Sequence, residues 1–253
     1  MRLLPQTLNK LKPASGVSHF LHLGLVLVLP AAVFVLVRLN VFQLALSVIV
    51  LSKWRMFAVK PRFWPANIRA NAVDLMVGLS IVLFMTHSGN LWPQAVWAVL
   101  YGVWLLAIKP ASSVMMVMLQ AFIGQFVALS ALFLAWSDGP VYGLTLLGGL
   151  FCFMAARHFL DAFDESYAKM LAYVWGYFGA ALTWLLSHWL LFYHGVVAQP
   201  TLLLSAVGYG LAVLYYLDHN DRLSKGARRQ FIFIMVAIVL VVMAFSDWGD
   251  KVV

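Results

Sequence analysis

Long apolar runs occupy most of the chain, and short polar stretches separate them. Nine apolar segments can be drawn, most of them bounded by turn-forming residues such as Asn40, Gly89 and Pro110. They cover residues 20–37, 41–58, 70–88, 91–108, 114–136, 141–156, 170–193, 201–217 and 230–246. Because a helix needs about 20 apolar residues to cross a bilayer, this pattern predicts an all-α bundle of about nine transmembrane helices. We expect them to form a single membrane-embedded domain, 1–253.

The second segment is the weakest of the nine. Its purely apolar run covers only 41–51, because Ser52, Lys53 and Arg55 interrupt it. The segment 41–58 spans a membrane only if these cations extend toward the headgroups.

The distribution of basic residues predicts the orientation. With nine spans and the N-terminus inside, 15 of the 17 Lys and Arg residues fall on the cytoplasmic side, and only Arg38 and Lys251 fall outside. If the second segment does not span and the later segments keep their orientation, the division becomes 13 to 4. Because Lys and Arg collect in short cytoplasmic loops, the sequence favours an N-in, C-out multi-pass protein of the cell (cytoplasmic) membrane.

The composition is that of a membrane protein and excludes an ordinary soluble domain. The chain is 64% hydrophobic and 10% charged, with a mean hydropathy of +0.91. An ordinary soluble domain has about 45–50% apolar and about 25% charged residues. The single cysteine, Cys152, excludes an internal disulfide and a cysteine-based metal cluster. No cofactor is expected.

Basic and aromatic residues alternate after the second segment. The cations are Lys53, Arg55, Lys60 and Arg62, and the aromatic residues are Trp54, Phe57, Phe63 and Trp64. The simpler interpretation is that these cations only set the topology. The sharper hypothesis is that they bind anionic lipid headgroups at the cytoplasmic face. Nucleic acid is not expected as a partner, because the basic residues are dispersed over several loops and no binding motif is present.

Part of the chain carries features of a known family. Residues 41 to about 136 combine a tight first hairpin, Trp54-Arg55 at a helix end, Pro61-Arg62-Phe63-Trp64-Pro65, a helix pair ending at Lys109, and a long helix to Trp136. In this the region resembles the membrane domain that precedes the catalytic domain of bacterial transglutaminase-like membrane proteins. That family usually continues past the lysine with acidic and arginine residues, whereas this chain has Pro110-Ala111-Ser112-Ser113. The resemblance implies a membrane module without the Cys-His-Asp enzyme, and no catalytic residue is carried over.

The most polar helical stretch runs from Arg157 to Lys169. At helical spacing, His158, Asp161 and Glu165 share one face and could supply three metal ligands, with His22 or His219 completing the set. The favoured alternative is a charged interfacial helix, in which Asp161 and Glu165 lie near Arg157 and Lys169. A membrane enzyme that uses this His/carboxylate cluster is one functional hypothesis, the third in order after the two given below.

Polar residues are few near the predicted membrane midplane. They include Gln120, Gln125, Tyr101 and Tyr209, with no ionisable acid or base at a central position. This argues against a charge-translocating pump and leaves room for a carrier of a neutral or amphipathic small molecule along these four residues. For the glutamines, hydrogen bonding between helices is the favoured alternative.

Small residues indicate where helices pack. Ala172, Gly176 and Ala180 recur every four residues in the seventh segment, a spacing that lets two helix backbones approach closely. The last segment is apolar all round, which predicts a position at the edge of the bundle.

Together the features of the sequence favour a non-catalytic membrane module that binds lipid or another membrane protein, with the carrier as the alternative. An enzyme is less expected.

Overall fold

The structure is an all-helical membrane protein. The computed structural model describes residues 17–163, 165–189, 193–194 and 197–245. These residues form ten α-helices and one hairpin of two strands, each two residues long. The helices are α1 (Val17–Arg38), α2 (Phe42–Leu51), α3 (Trp64–Ala70), α4 (Ala72–Ser88), α5 (Leu91–Val103), α6 (Val114–Trp136), α7 (Val141–Leu160), α8 (Ala168–Trp189), α9 (Gln199–His219) and α10 (Lys225–Ala244). A π-helical turn, Trp104–Ile108, extends α5, and the hairpin pairs β1 (Tyr193–His194) with β2 (Val197–Ala198).

Six helices of the described chain are long and apolar enough to cross a membrane, namely α5 with its π-helical turn and α6 to α10. The pair α3–α4 raises this number to seven if it counts as one span, although its two parts are bent by 67°. Helix α2 and the part of α1 from Leu23 to Arg38 are apolar but shorter.

The helices alternate in direction, so their ends collect at two opposite ends of the bundle. At one end, Arg38 at the close of α1 donates to Gln94 in the first turn of α5, over 3.4 Å. At the other end, Lys53 and Lys109 both contact Asp74, which joins the C-terminal ends of α2 and α5 to the start of α4. We name this second end the basic end.

Helices α4 and α6 lie in the interior, and α10 lies at the edge. The largest buried cluster is built around α4, with Ile49, Val77 and Tyr101 among its members. In contrast, no described residue of α10 is fully buried. The position of α10 at the edge agrees with its apolar sequence.

Helices α7 and α8 make the most extensive helix contact. Glycines bring the two backbones together: a Cβ built on Gly149 would lie 2.8 Å from Cβ of Ala180, and one on Gly176 would lie 2.9 Å from Cβ of Phe153. The expected close contact at the Ala172, Gly176 and Ala180 repeat is therefore present.

The structure revises several of the expected segment boundaries. The helical part of the second segment ends at Leu51, before the cations, and the segment continues as a short 3-10 turn, Trp54–Met56. The third segment starts at Ala72 instead of residue 70, because the chain bends between α3 and α4. Polar residues that the apolar pattern left outside extend α7 at its end, α8 and α10 at their start, and α9 at both ends. Residues 190–192 and 246, at the ends of two expected segments, lie outside the described residues.

Candidate functional site

A basic and aromatic segment runs across the basic end. We name Trp54–Ala70, which connects α2 to α4, the interfacial segment. Its last part, Pro61–Ala70, makes an angle of 67° with α4, so the chain turns away from the direction of the spanning helices. All residues from 57 to 66 are exposed. This is the placement expected of a helix that lies along a membrane surface.

Contacts within the interfacial segment hold its two parts together. Met56 is buried, and Asn67 donates a hydrogen bond to its carbonyl oxygen over 3.3 Å. The aromatic residues support each other: Phe57 and Trp64 meet edge to face at 5.5 Å, and the Trp64 indole donates to the Val59 carbonyl over 3.0 Å. The segment therefore has an internal structure of its own.

The interfacial segment also exposes three cations. Arg55, Lys60 and Arg62 are all exposed. The Arg62 guanidinium lies 4.5 Å from the centre of the Phe63 ring, a cation–π distance. Three of the four predicted headgroup ligands are thus exposed in the interfacial segment.

Lys53, the fourth predicted headgroup ligand, is engaged inside the bundle. It pairs with Asp74, and the same carboxylate oxygen contacts Lys109 Nζ at 2.6 Å. The Trp104 indole donates to the other oxygen of Asp74 over 2.9 Å. The exposed side-chain fractions are 11% for Lys53, 8% for Asp74 and 39% for Lys109. We name these four residues the Asp74 cluster.

The Asp74 cluster was not predicted as a unit. Its members are distant in sequence, and only the charge distribution hinted at it, because all three charged residues fall on the cytoplasmic side in the predicted topology. The cluster contains two cations and one anion. Its excess positive charge adds to that of the interfacial segment at the same end of the bundle.

Gln120 ties three helices together near the basic end. Its amide nitrogen donates to the carbonyl oxygens of Ile108 and Ala111, over 2.7 and 2.9 Å. Its amide oxygen accepts from His158 Nε2 over 3.1 Å. Gln120 therefore satisfies the free carbonyls where the π-helical turn ends, which is a structural role.

Gln125 connects α6, α8 and α9 in a similar way. Its nitrogen donates to the Leu204 carbonyl over 3.0 Å, and its oxygen accepts from the Trp175 indole over 2.9 Å. Both glutamines thus form hydrogen bonds between helices, as the favoured alternative proposed.

Only two of the four predicted path residues share a cavity. Gln125 and Tyr209 line a largely apolar cavity of about 500 Å³ between α6, α7, α8 and α9, which we name the apolar cavity. Gln120 does not line it, and Tyr101 lies in the buried cluster around α4. The four residues do not form one continuous path in the described structure.

His158, Asp161 and Glu165 each have a different partner. His158 contacts Gln120, and Asp161 pairs with Arg157 at 2.8 Å, one helical turn away. Glu165 accepts hydrogen bonds from the Tyr215 hydroxyl and from the backbone N–H of Tyr167. Among the described residues, no group of three His, Cys, Asp or Glu side chains is arranged to hold a metal ion.

The environment of these groups is that of a polar helix end. The hydrogen bond from Tyr215 is the main cause that lowers the pKa of Glu165 below its usual value. The predicted Arg157–Asp161 pair is present, whereas Glu165 contacts Tyr215 in the place of Lys169. The side chain of His22, one of two residues predicted to complete the ligand set, lies outside the described part of the chain. The other, His219, stacks on Tyr215 with ring centres 6.0 Å apart.

Comparisons with family models, curated proteins and solved structures find no match to this chain.

Proposed function

We propose that this protein is a non-catalytic membrane module that binds anionic lipid headgroups at its basic end. The observation that carries the proposal is the interfacial segment, whose part Pro61–Ala70 turns 67° from α4 and whose cations Arg55, Lys60 and Arg62 and aromatic residues are exposed. Each Lys or Arg near an anionic membrane surface contributes about 1 kcal/mol of attraction. Three such cations provide enough energy to enrich anionic lipids around this end.

The aromatic residues support the same function. Tryptophan and tyrosine favour the membrane–water boundary, where a ring can be apolar on one side and hydrogen-bonded on the other. Trp54 and Trp64 are both exposed beside the cations. The segment therefore has the composition of an interfacial anchor as well as its geometry.

Two alternatives have less support. A carrier needs its polar residues along one route, but Gln120 and Gln125 are used in hydrogen bonds between helices and Tyr101 lies apart from the apolar cavity. An enzyme at the His/carboxylate cluster needs His158, Asp161 and Glu165 to converge, and these side chains have three separate partners. The resemblance to a membrane domain without its enzyme is compatible with a non-catalytic module and stays a prediction. A membrane protein as an additional partner also stays a prediction.

The proposed topology is nine spans in the cell membrane, with the N-terminus inside and the C-terminus outside. Helix α2 is about 15 Å long at 1.5 Å per residue, roughly half the hydrocarbon core. It nevertheless runs from beside the Arg38–Gln94 end to the Asp74 cluster at the opposite end. This connection and the 15-to-2 distribution of cations support α2 as a short span that ends at the Asp74 cluster.

Lipid retention tests the proposed headgroup site. The triple variant Arg55→Gln/Lys60→Gln/Arg62→Gln removes the exposed cations of the interfacial segment and leaves the Asp74 cluster intact. Native mass spectrometry of protein extracted from mixed phosphatidylglycerol and phosphatidylcholine bilayers measures the bound lipids. We expect the preference for phosphatidylglycerol to fall by about tenfold or more, since each cation contributes about 1 kcal/mol.

A matched control separates position from charge. The variant Lys225→Gln/Arg228→Gln/Arg229→Gln also removes three exposed cations, at the start of α10, outside the interfacial segment. We expect a smaller loss of phosphatidylglycerol in this control. Equal losses in the two variants would contradict a specific headgroup site.

A further inference from the structure

The apolar cavity is built from four helices in the half of the bundle nearest the basic end. Its lining includes Met118 and Phe122 from α6, Phe159 from α7, Trp175 from α8, and Tyr209 and Ala212 from α9. Its volume of about 500 Å³ falls within the range of about 300–1,000 Å³ that is usual for small-molecule sites. The cavity is therefore large enough to hold a small molecule.

The cavity opens sideways, toward the membrane. Helices α8 and α9 pack against each other far less than α7 and α8 do. Lining residues on both sides of this gap are exposed, including Val174 and Phe178 on α8 and Tyr209 and Leu211 on α9. Because α8 and α9 are both long and apolar enough to span the membrane, the surroundings of the opening are lipid chains.

The length of the cavity matches one leaflet. Its lining on α9 extends from Ser205 to Tyr215, which is about 15 Å of helix at 1.5 Å per residue. The hydrocarbon core of a bilayer is about 30 Å thick, so this is the depth of a single leaflet. Where the cavity comes nearest to the basic end, the Tyr215 hydroxyl donates a hydrogen bond to Glu165, which lies outside the spanning helices. The cavity therefore extends from the headgroup level toward the midplane.

The polar atoms in the lining are mostly committed to the protein. Both polar atoms of the Gln125 amide and the indole N–H of Trp175 are used in hydrogen bonds between helices. The buried Ser205 hydroxyl has no partner in the described structure, but a serine in a helix can donate to the carbonyl of the preceding turn. A hydrocarbon chain suits such a lining. A polar solute would leave its own groups unpaired.

A spanning helix from a partner protein crosses the whole hydrocarbon core of about 30 Å, whereas the lining covers only about 15 Å of α9. We infer that the apolar cavity binds one hydrocarbon chain of a membrane lipid, which enters sideways between α8 and α9 from the leaflet at the basic end. This site is separate from the interfacial segment and does not depend on the charge of the headgroup.

Quenching of Trp175 tests the site in the wild-type protein. The emission of Trp175 is obtained by subtracting the spectrum of Trp175→Phe from that of the wild type in detergent. Phosphatidylcholine brominated along its chains is then added as a quencher. We expect Trp175 to lose most of its emission. Trp97 of α5, which stacks on Phe84 of α4 and is measured by the same subtraction, should keep most of its own. An unquenched Trp175 would overturn the inference.

Filling the cavity gives a second test. The variant Ala212→Phe places a ring in the cavity, and Ala244→Phe places one on the exposed surface of α10. Native mass spectrometry after extraction from phosphatidylcholine bilayers should show a bound lipid on the wild type and Ala244→Phe that is lost in Ala212→Phe. Equal retention in all three proteins, or detergent bound in place of lipid, would contradict a lipid-chain site.

The two lipid sites fail independently. Loss of phosphatidylglycerol preference in the interfacial triple variant, with Trp175 unquenched in the wild type, supports the headgroup site alone. Quenching of Trp175 in the wild type, with phosphatidylglycerol preference unchanged in the triple variant, supports the chain site alone.

Discussion

Asp74 is the residue on which the charge balance of the basic end depends. Its carboxylate is nearly buried and faces two lysines, one of them also nearly buried. Taking charges out of water is costly, and the cost is recovered only when each charge keeps a partner. Asp74 therefore holds Lys53 inside the bundle and keeps that cation away from the headgroup surface.

We expect Asp74→Asn to destabilise the protein strongly. The substitution leaves Lys53 without an anion, and breaking a buried ion pair by removing one partner costs about 3–5 kcal/mol. Lys109 is less affected, because more of its side chain reaches water. The free energy of unfolding, measured by denaturant titration in mild detergent, should fall by this amount.

Two further variants give the control and the counter-test. Asp138→Asn changes an exposed aspartate and should leave the free energy of unfolding nearly unchanged. Lys53→Met/Asp74→Asn removes the stranded cation as well, so part of the lost stability should return. If the double variant is no more stable than Asp74→Asn, the pair with Lys53 is not the cause of the loss.

At the scale of elements, the contact between α7 and α8 depends on glycines. The Gly149 carbonyl oxygen lies 3.1 Å from the position of a Cβ built on Gly176, and the Gly176 carbonyl oxygen lies 3.0 Å from a Cβ built on Gly149. The two backbones are therefore in close contact at these glycines. Side-chain entropy is not lost at these positions, and close packing supplies dispersion contacts that lipid cannot match as well. The α7–α8 pair is thus the best-packed unit of the described bundle.

We expect Gly176→Leu to force α7 and α8 apart. Overpacking of a close contact costs about 1–3 kcal/mol, so the variant should unfold at a lower temperature in detergent. Gly24→Leu is the matched control on α1, because a Cβ built at Gly24 meets nothing within 4 Å. Equal melting temperatures for Gly176→Leu, Gly24→Leu and the wild type would show that the α7–α8 contact tolerates the larger side chain.

Elements could be predicted where a local pattern decides them. Helix α6 has the predicted bounds, because a serine caps its start: Ser113 accepts from the backbone N–H of Met116. The turn at Asn40 was also predicted, and its positive φ of 58° is one that asparagine tolerates. The 67° bend between α3 and α4 was not predicted, because the apolar pattern sets the start of the third segment at residue 70 but does not fix the angle at which the chain enters it.

The site could be predicted only in part, for the same reason. Alternating cations and aromatic residues identified Arg55, Lys60 and Arg62 without knowledge of the fold. The engagement of Lys53 by Asp74 depends on how α2, α4 and α5 pack, which sequence spacing does not reveal. The apolar cavity depends on the gap between α8 and α9. Gln125 and Tyr209 were selected as polar residues near the midplane, without any signal that they share a cavity.

At the scale of the whole molecule, charge and packing agree on one asymmetry. Three features lie toward the basic end: the Asp74 cluster, the exposed cations of the interfacial segment, and the apolar cavity. If this end faces the cytoplasm, the proposed headgroup site and the proposed chain site belong to the same leaflet. Orientation is therefore the property that connects the two lipid sites to the cell.

Cysteine labelling tests this orientation. In a Cys152→Ala background, which removes the native thiol, we expect a membrane-impermeant reagent to label Val253→Cys in intact cells and to spare Ala66→Cys. Ala66 lies in the exposed part of the interfacial segment, so it should become labelled once the cells are permeabilised, which controls for accessibility. Val253 lies outside the described residues, and its expected side rests on the 15-to-2 distribution of cations and the positive-inside rule. The reverse pattern would place the basic end outside, whereas labelling of cysteines at both ends of the chain would favour eight spans, with the second segment on one side of the membrane.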